Sequence, residues 1–393
     1  MTGNESRYDA YLRQRRKAGL YRELTALRRE DARRITVGGR SYVNFSGNDY
    51  LGLANDPRLA ERAAEWAKRH GAGSAASRLV TGNLDLFTRI EEKTARLKGQ
   101  EAALVLASGF QANAAVLEAL LDSSVLGAEP LVFADRLNHA SMHFGCKAAG
   151  VRQIRYRHCD ASHLSELLER HAASTAPKFI LTESVFSMDG DVAPLDELGR
   201  LARAHDALLV VDDAHATGIL GEGGKGLGEG ADVVIGTFSK AVGSFGAYVA
   251  CSGRVKQYLV NRCTGLIYST ALPPSVLGSI DAALDIVPSM EADRARVAAL
   301  ARRFREIAAE HGLDCGASRT QIVPLMAGDA DRALTLAAAL REAGFWAVAI
   351  RPPTVPQGTA RLRLAFNAAH TDEDVEQLLS AVKTGMGKRL AIA

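Results

Sequence analysis

A lysine at the end of an apolar run is the first residue here whose type and setting could do chemistry. Lys240 stands in Phe238-Ser-Lys240, directly after the uncharged run Val233–Thr237. Lysine is almost never fully buried without a partner. Partial burial at a strand end would lower its pKa and make it a competent amine for a Schiff base; the alternative is that the side chain simply surfaces there. Asp212-Asp-Ala-His215 follows the run Ala207–Val211. Two adjacent acids could hold a metal, cap a helix, sit in a solvated turn, or pair with a cationic ligand nitrogen. Metal binding asks for further ligands at a fitting spacing, and the sequence offers none, so no metal is expected. A carboxylate beside a pyridinium nitrogen would keep that nitrogen protonated, as an electron-sink cofactor requires. Ser108-Gly-Phe-Gln-Ala-Asn113 follows the run Ala102–Ala107. A strand that leads through glycine into a helix presents backbone N–H groups suited to a phosphate, although most Ser-Gly turns are only turns. His139, in Asp135-Arg-Leu-Asn-His-Ala-Ser141, lies just past another run. A lone histidine is more often a satisfied polar residue than a catalytic one, yet several such strand ends should converge on one rim.

The runs themselves set the architecture. Ala102–Ala107, Leu131–Ala134, Phe179–Thr182, Ala207–Val211, Val233–Thr237 and Ala247–Cys251 alternate with helix-like stretches such as Ser162–Ala173 and Leu195–Ala204. Strands so uniformly apolar are buried on both faces, which predicts a mostly parallel sheet in an α/β domain. In such sheets ligands bind beyond the carboxyl ends of the strands. Before this domain, residues 1–50 read as a helical arm and a short extended piece. A helix is expected over 57–70, with Asp56 as cap, Pro57 in its first turn and Leu59, Ala63 and Trp66 on one face. The Gly/Ser/Ala segment 71–78 should be irregular. The large domain spans 51–285. A small α+β domain follows over 286–393, with Val297, Leu300, Phe304 and Ile307 as a helical stripe. Arg361–Phe366 alternates as a half-buried strand should, and Thr371 with Asp374 forms a capping box before Val375, Leu378, Leu379 and Val382.

Composition narrows the class. The 393 residues carry 48 Lys and Arg against 45 Asp and Glu, a net charge of +3. That balance argues against a nucleic-acid coat. Five scattered cysteines without a CxxC pair read as reduced thiols. No apolar signal core or bilayer-length run is present, so a cytoplasmic protein without a membrane partner is expected. Gly221, Gly223 and Gly226 match GxGxxG but lack the strand-turn-helix setting of a dinucleotide site. His158 and His163 have no metal spacing and read as solvent-facing. Ser184 and Ser187 lack a nucleophile-elbow sequence.

Taken together, the stretches GFQAN, DRLNHAS, TESVFSMDGD, VVDDAHATG, TFSKAVG, IYSTALPP and IRPPTVPQGTARLRL resemble the α-oxoamine synthases. These are pyridoxal 5'-phosphate (PLP) enzymes of fold type I, a transferase fold with a small C-terminal domain. The likeness runs from about Tyr21 to the last helix. Ile267–Pro274 and Ile350–Pro356 point to the branch that condenses L-alanine with a pimeloyl thioester, on CoA or acyl carrier protein, toward biotin. Relatives using glycine, serine or another acyl thioester remain the alternative. The resemblance implies roles. Lys240 would hold the cofactor and then act as base. Asp212 would pair with the pyridinium nitrogen, His215 would bond the phenolic oxygen, and His139 would stack on the ring. Glu183, Ser187 and Thr237 would complete the cluster. Backbone N–H groups of Gly109 and Phe110 would hold the phosphate. Ser269 and Thr270 would reach the phosphate of a neighbouring subunit in a homodimer with shared sites. Arg351 would bind the amino-acid carboxylate with Thr354 nearby, Asn48 would lie at the mouth, and Arg22 would meet the distal carboxylate. Ala75 and Ala76 stand where that branch often has glycines, in a loop near the acyl-thioester channel.

Overall fold

A computed structural model of the protein describes residues 3–387. The chain forms two compact units. One holds Asn48–Ser187 and Asp191–Arg296. The other holds the described residues up to Gly47, the short excursion Met188–Gly190, and the residues from Val297 on. The chain passes between the units after Gly47 and after Arg296, and twice more around Met188–Gly190. The N-terminal arm does not stand alone: its strand Arg40–Asn44 pairs in parallel with Phe345–Trp346, a partnership that no local pattern announces.

The larger unit is built on a seven-stranded sheet. Its strands are β1 (Ala102–Leu106), β2 (Leu131–Asp135), β3 (Gln153–Tyr156), β4 (Lys178–Glu183), β5 (Ala207–Asp212), β6 (Val233–Thr237) and β7 (Ala247–Cys251). Their order is β1-β7-β6-β5-β4-β2-β3. All neighbours run parallel except β7, which is antiparallel to both β1 and β6. The expected mostly parallel α/β architecture is therefore present. Six of the strands are the apolar runs of the sequence, and every residue of β6 and β7 is buried, which is the environment that selects such runs. β3 had no such signal. It lies on the sheet edge, where only Tyr156 of Gln-Ile-Arg-Tyr is buried.

Helix α1 (Gly109–Leu120) follows β1 and buries Ala112, Val116, Leu117 and Leu120 against the sheet residues Leu104, Val132, Leu181 and Ile235. Each large side chain so buried contributes about 1.5–3 kcal/mol. Helix α2 (Ala140–Ala148) follows β2. The helix Pro57–His70 forms as its sequence predicts: the Asp56 carboxylate accepts the Arg58 N–H at 2.9 Å, and Leu59 and Trp66 are buried. The segment after it stays irregular up to a single π turn, Arg78–Gly82.

In the smaller unit a helix, Gly3–Lys17, is exposed along its length. The hairpin Arg34–Val37 with Arg40–Asn44 belongs to one sheet, and Ile322–Gly328, Ala360–Ala365 and Val348–Ile350 form an antiparallel second. Here one expectation is corrected. The strand at 360–365 is buried throughout rather than half-buried: it is paired along both edges as the central strand of its sheet, and side chains on both of its faces are covered. Arg361 accommodates this by pairing with Asp189 and the Thr359 carbonyl. The capping box is present: Thr371 N–H reaches Asp374 at 2.8 Å, and Asp374 N–H reaches the Thr371 hydroxyl at 3.0 Å. Among the described residues no helix is long and apolar enough to cross a membrane.

Candidate active site

Strands β4, β5 and β6 end side by side, with Glu183 opposite Asp212 and Asp212 opposite Ile235. Beyond their carboxyl ends lies a cleft of about 190 Å³ lined by Gly109, Phe110, His139, Glu183, Asp212, His215, Thr237 and Lys240. The residues singled out at separate strand ends therefore meet in one place. Ser187 does not line the cleft; its backbone N–H bonds the Glu183 carboxyl. Ser269 and Thr270 lie away from it in the same unit, Ser269 bonded to the Gln111 amide at 2.6 Å and Thr270 bridged to Ser77.

Two hydrogen-bonded lines run through the site. In the first, the Lys240 amine lies 2.7 Å from His215 Nε2. His215 Nδ1 lies 2.7 Å from the Tyr50 hydroxyl, and that hydroxyl donates to Asn48 Oδ1 at 3.1 Å. In the second, Asn113 Nδ2 donates to Asp212 Oδ2 at 2.6 Å and to Ser141 Oγ at 2.9 Å, and Ser141 Oγ lies 2.6 Å from His139 Nδ1. The other Asp212 oxygen accepts the Ala214 N–H at 3.0 Å. Burial holds the His139 pKa below its ordinary value, with the Lys240 charge acting the same way and Asp212 opposing. His139 is thus neutral at neutral pH. Burial, then the charge of Asp212, pushes the Glu183 carboxyl well above the usual range.

This donor set fits PLP. The amine of Lys240 suits its aldehyde, and the carboxylate of Asp212 suits its ring nitrogen. Gly109 and Phe110 open α1 behind the Ser108 cap; first-turn N–H groups have no intrahelical acceptor and, with the helix dipole, favour a phosphate. Asn113, which lines the cleft, keeps its Oδ1 buried without a protein partner among the described residues.

Sequence reasoning missed three contributors. Asn113 and Ser141 sit inside stretches already noted, but nothing in their spacing tied them to Asp212 and His139. Tyr50 lies 165 residues from His215 and gave no signal. Two readings were corrected. His158 does not face solvent; it lies between Asp135 at 3.0 Å and Asp191 at 2.7 Å. Burial alone would lower its pKa, but these two carboxylates raise it to about 12. Asp213 is not part of a solvated turn. It is fully buried and pairs with Lys98 at 2.5 Å under the glycine-rich loop. A Cβ on Gly226 would fall 1.8 Å from the Asp213 carboxylate, so that glycine is there for close approach and not for a dinucleotide.

The smaller unit brings three further predicted residues together. A cleft of about 620 Å³ is lined by Arg22, Arg351 and Thr354 with the apolar Leu20, Leu24 and Ile350. Arg22 donates to the Thr354 hydroxyl at 3.0 Å, and Arg351 donates to the Gly19 carbonyl. Burial, with the Arg22 and Arg15 charges adding to it, lowers the Arg351 pKa. Such a site favours an anion.

Residues 40–382 match the family described as aminotransferase class I and II. An 8-amino-7-oxononanoate synthase of Gluconacetobacter diazotrophicus is 54% identical, over 93% of each chain. A solved structure of SPT with PLP as internal aldimine is 26% identical, covers 99% of each chain and has a TM-score of 0.90. A solved 8-amino-7-oxononanoate synthase from Francisella tularensis is 26% identical over 89% of this chain and 99% of its own, with a TM-score of 0.76.

Proposed function

The chain belongs to the aminotransferase class I and II family, and from that premise we propose that it performs the PLP-dependent acyl transfer of the 8-amino-7-oxononanoate synthases. L-Alanine is joined to a pimeloyl thioester, carbon dioxide is lost, and the product is a precursor of biotin. The observation that carries the reading is the convergence of Lys240 and Asp212 on one cleft at the ends of adjacent strands. Bound PLP supplies an electron sink for the charge left when the amino-acid α-proton departs. The protein's own groups do the rest. Lys240 holds the cofactor covalently and, once displaced by alanine, takes the α-proton at Nζ. Asp212, fixed by Asn113 and the Ala214 N–H, keeps the ring nitrogen protonated. His215 bonds the phenolic oxygen, and neutral His139 covers the ring without adding a competing charge. The N–H groups of Gly109 and Phe110 hold the phosphate, Glu183 and Thr237 wall the pocket, and Ser187 acts through its backbone bond to the Glu183 carboxyl.

Arg351, with Thr354, binds the alanine carboxylate, and Asn48 stands at the mouth. Arg22 takes the distal carboxylate of the pimeloyl chain, whose methylenes suit Leu20, Leu24 and Ile350. The acyl group arrives on CoA or an acyl carrier protein. The enzyme works as a cytoplasmic homodimer in which Ser269 and Thr270 serve the partner's phosphate. The position of both residues away from their own cleft, beside the exposed Tyr268, supports that assignment.

The test is the visible spectrum of the PLP-loaded protein titrated with L-alanine, glycine and L-serine. The strongest response is expected from alanine. A band answering best to serine would favour the second reading, a serine-using acyltransferase, which the backbone likeness to SPT recommends. Arg22→Ala is expected to raise KM for the pimeloyl thioester at least about tenfold, the cost of one charge-assisted hydrogen bond. The alanine-induced spectral change should stay as it was.

A further inference from the structure

We infer that Tyr50 is a positioning residue that sets which nitrogen of His215 carries its proton, and so how His215 faces Lys240. The inference rests on the proposed roles of Lys240 and His215, though not on the identity of the substrates. Both ring nitrogens of His215 are engaged, Nε2 with Lys240 and Nδ1 with Tyr50. The direction of the line is fixed at its far end. The Asn48 amide oxygen can only accept, so the Tyr50 hydroxyl points its proton there. The phenolic oxygen then accepts from Nδ1–H, and Nε2 is left bare toward the lysine. A histidine in that tautomer accepts a hydrogen bond from the Lys240 ammonium and can take its proton while Nδ1 goes on donating to Tyr50. Lysine must give up a proton before it can attack a carbonyl or act as a base.

The segment that carries Tyr50 is built to hold its place. Tyr50 is 1% exposed. Past the turn that carries it, Leu53 and Ala54 lie against the loop that carries Lys240. A Cβ on Gly243, at φ +69°, would fall 2.5 Å from the Leu53 carbonyl carbon and 2.6 Å from the Ala54 nitrogen. Only glycine lets the two segments meet so closely, which fixes the tyrosine's distance from the lysine loop.

The experiment uses the full-length chain, freed of PLP and labelled with ¹⁵N-histidine, at about pH 8, where an ordinary imidazole is neutral. His215→Asn assigns the signals by their loss. The expected result is a protonated Nδ1 and a bare Nε2. Asn48→Ala removes the fixed acceptor and turns the hydroxyl toward Nδ1, so His215 should change to the Nε2–H form. Tyr50→Phe keeps the ring and removes the hydroxyl. It should give a mixture of tautomers, displace the pH profile of PLP capture by Lys240, and lower kcat about tenfold with KM for alanine within about twofold. A proton on Nε2 in the wild-type chain, or an unchanged tautomer in Asn48→Ala, would overturn the inference. Should Tyr50→Phe melt early, the Asn48→Ala spectrum decides alone. A preference for serine would sink the substrate reading and leave the tautomer result standing. A chain that forms no visible band with PLP would sink the role of Lys240 instead.

Discussion

Asn113 divides its two amide N–H groups between Asp212 and Ser141, and through Ser141 it links the strand-end acid to His139. Asn113→Ala is expected to lower kcat about tenfold and to weaken PLP binding, because Asp212 loses a donor worth about 1–3 kcal/mol and the His139 ring loses its brace. Equilibrium dialysis of PLP beside steady-state kinetics checks both. Asn113→Asp should do more harm, since it sets a second carboxylate against the first. Elsewhere in the unit His158 serves structure. Its folded pKa of about 12 exceeds the ordinary unfolded value of about 6.5. Its contribution to stability is therefore complete below about pH 6.5 and is lost as pH climbs toward 12. His158→Ala should cost about 3–5 kcal/mol near pH 6, where it strips the shared cation from Asp135 and Asp191. The gap from wild type in urea melts should narrow at pH 9. At this scale the sequence was half legible. Lys240, Asp212 and His139 betrayed themselves by standing at strand ends. Asn113, Ser141, Tyr50 and His158 act through partners brought near only by folding.

The glycine-rich loop at 221–226 shows what an element owes to its neighbours. A Cβ at Gly226 would lie 1.8 Å from the Asp213 carboxylate and 2.7 Å from the Lys98 amine. Gly226→Ala should therefore force that buried ion pair apart, at about 3 kcal/mol or more. Gly223 also has a positive φ, +61°, but a Cβ there meets nothing within 4 Å. Gly223→Ala should cost only about 1–2 kcal/mol, the price of a left-handed non-glycine residue. Thermal melts of the two variants distinguish crowding from backbone strain. The missing strand-turn-helix setting was enough to set the dinucleotide motif aside. The reason for the glycines was not legible, because Lys98 lies 115 residues from Asp213. Strands followed the same division. Those in the middle of the large sheet were plain from uninterrupted apolar runs. β3 at the edge was invisible, and the central strand at 360–365 hid its burial behind Arg361 and Arg363, both nearly inaccessible.

Over the whole molecule, the class of fold was legible because alternating runs and helices permit few arrangements, but the chain's route between units was not. Met188–Gly190 leaves one unit for the other, and Asp189 there meets Arg361. The hairpin Arg34–Asn44 likewise belongs with strands placed after residue 297. Residues 297–393 expressed alone should therefore lack a cooperative melt by circular dichroism, having lost both the hairpin and the partner of a buried guanidinium. Adding a peptide of residues 1–47 should restore part of the transition. The pairing of Asn44 with Trp346 also sets a schedule. A nascent polypeptide lengthens at about 5–20 residues per second, so the early hairpin waits roughly 15–60 s before its companion leaves the ribosome. For that interval an open β edge is available to any passing chain, and yield in the cell should depend on chaperones that shield it.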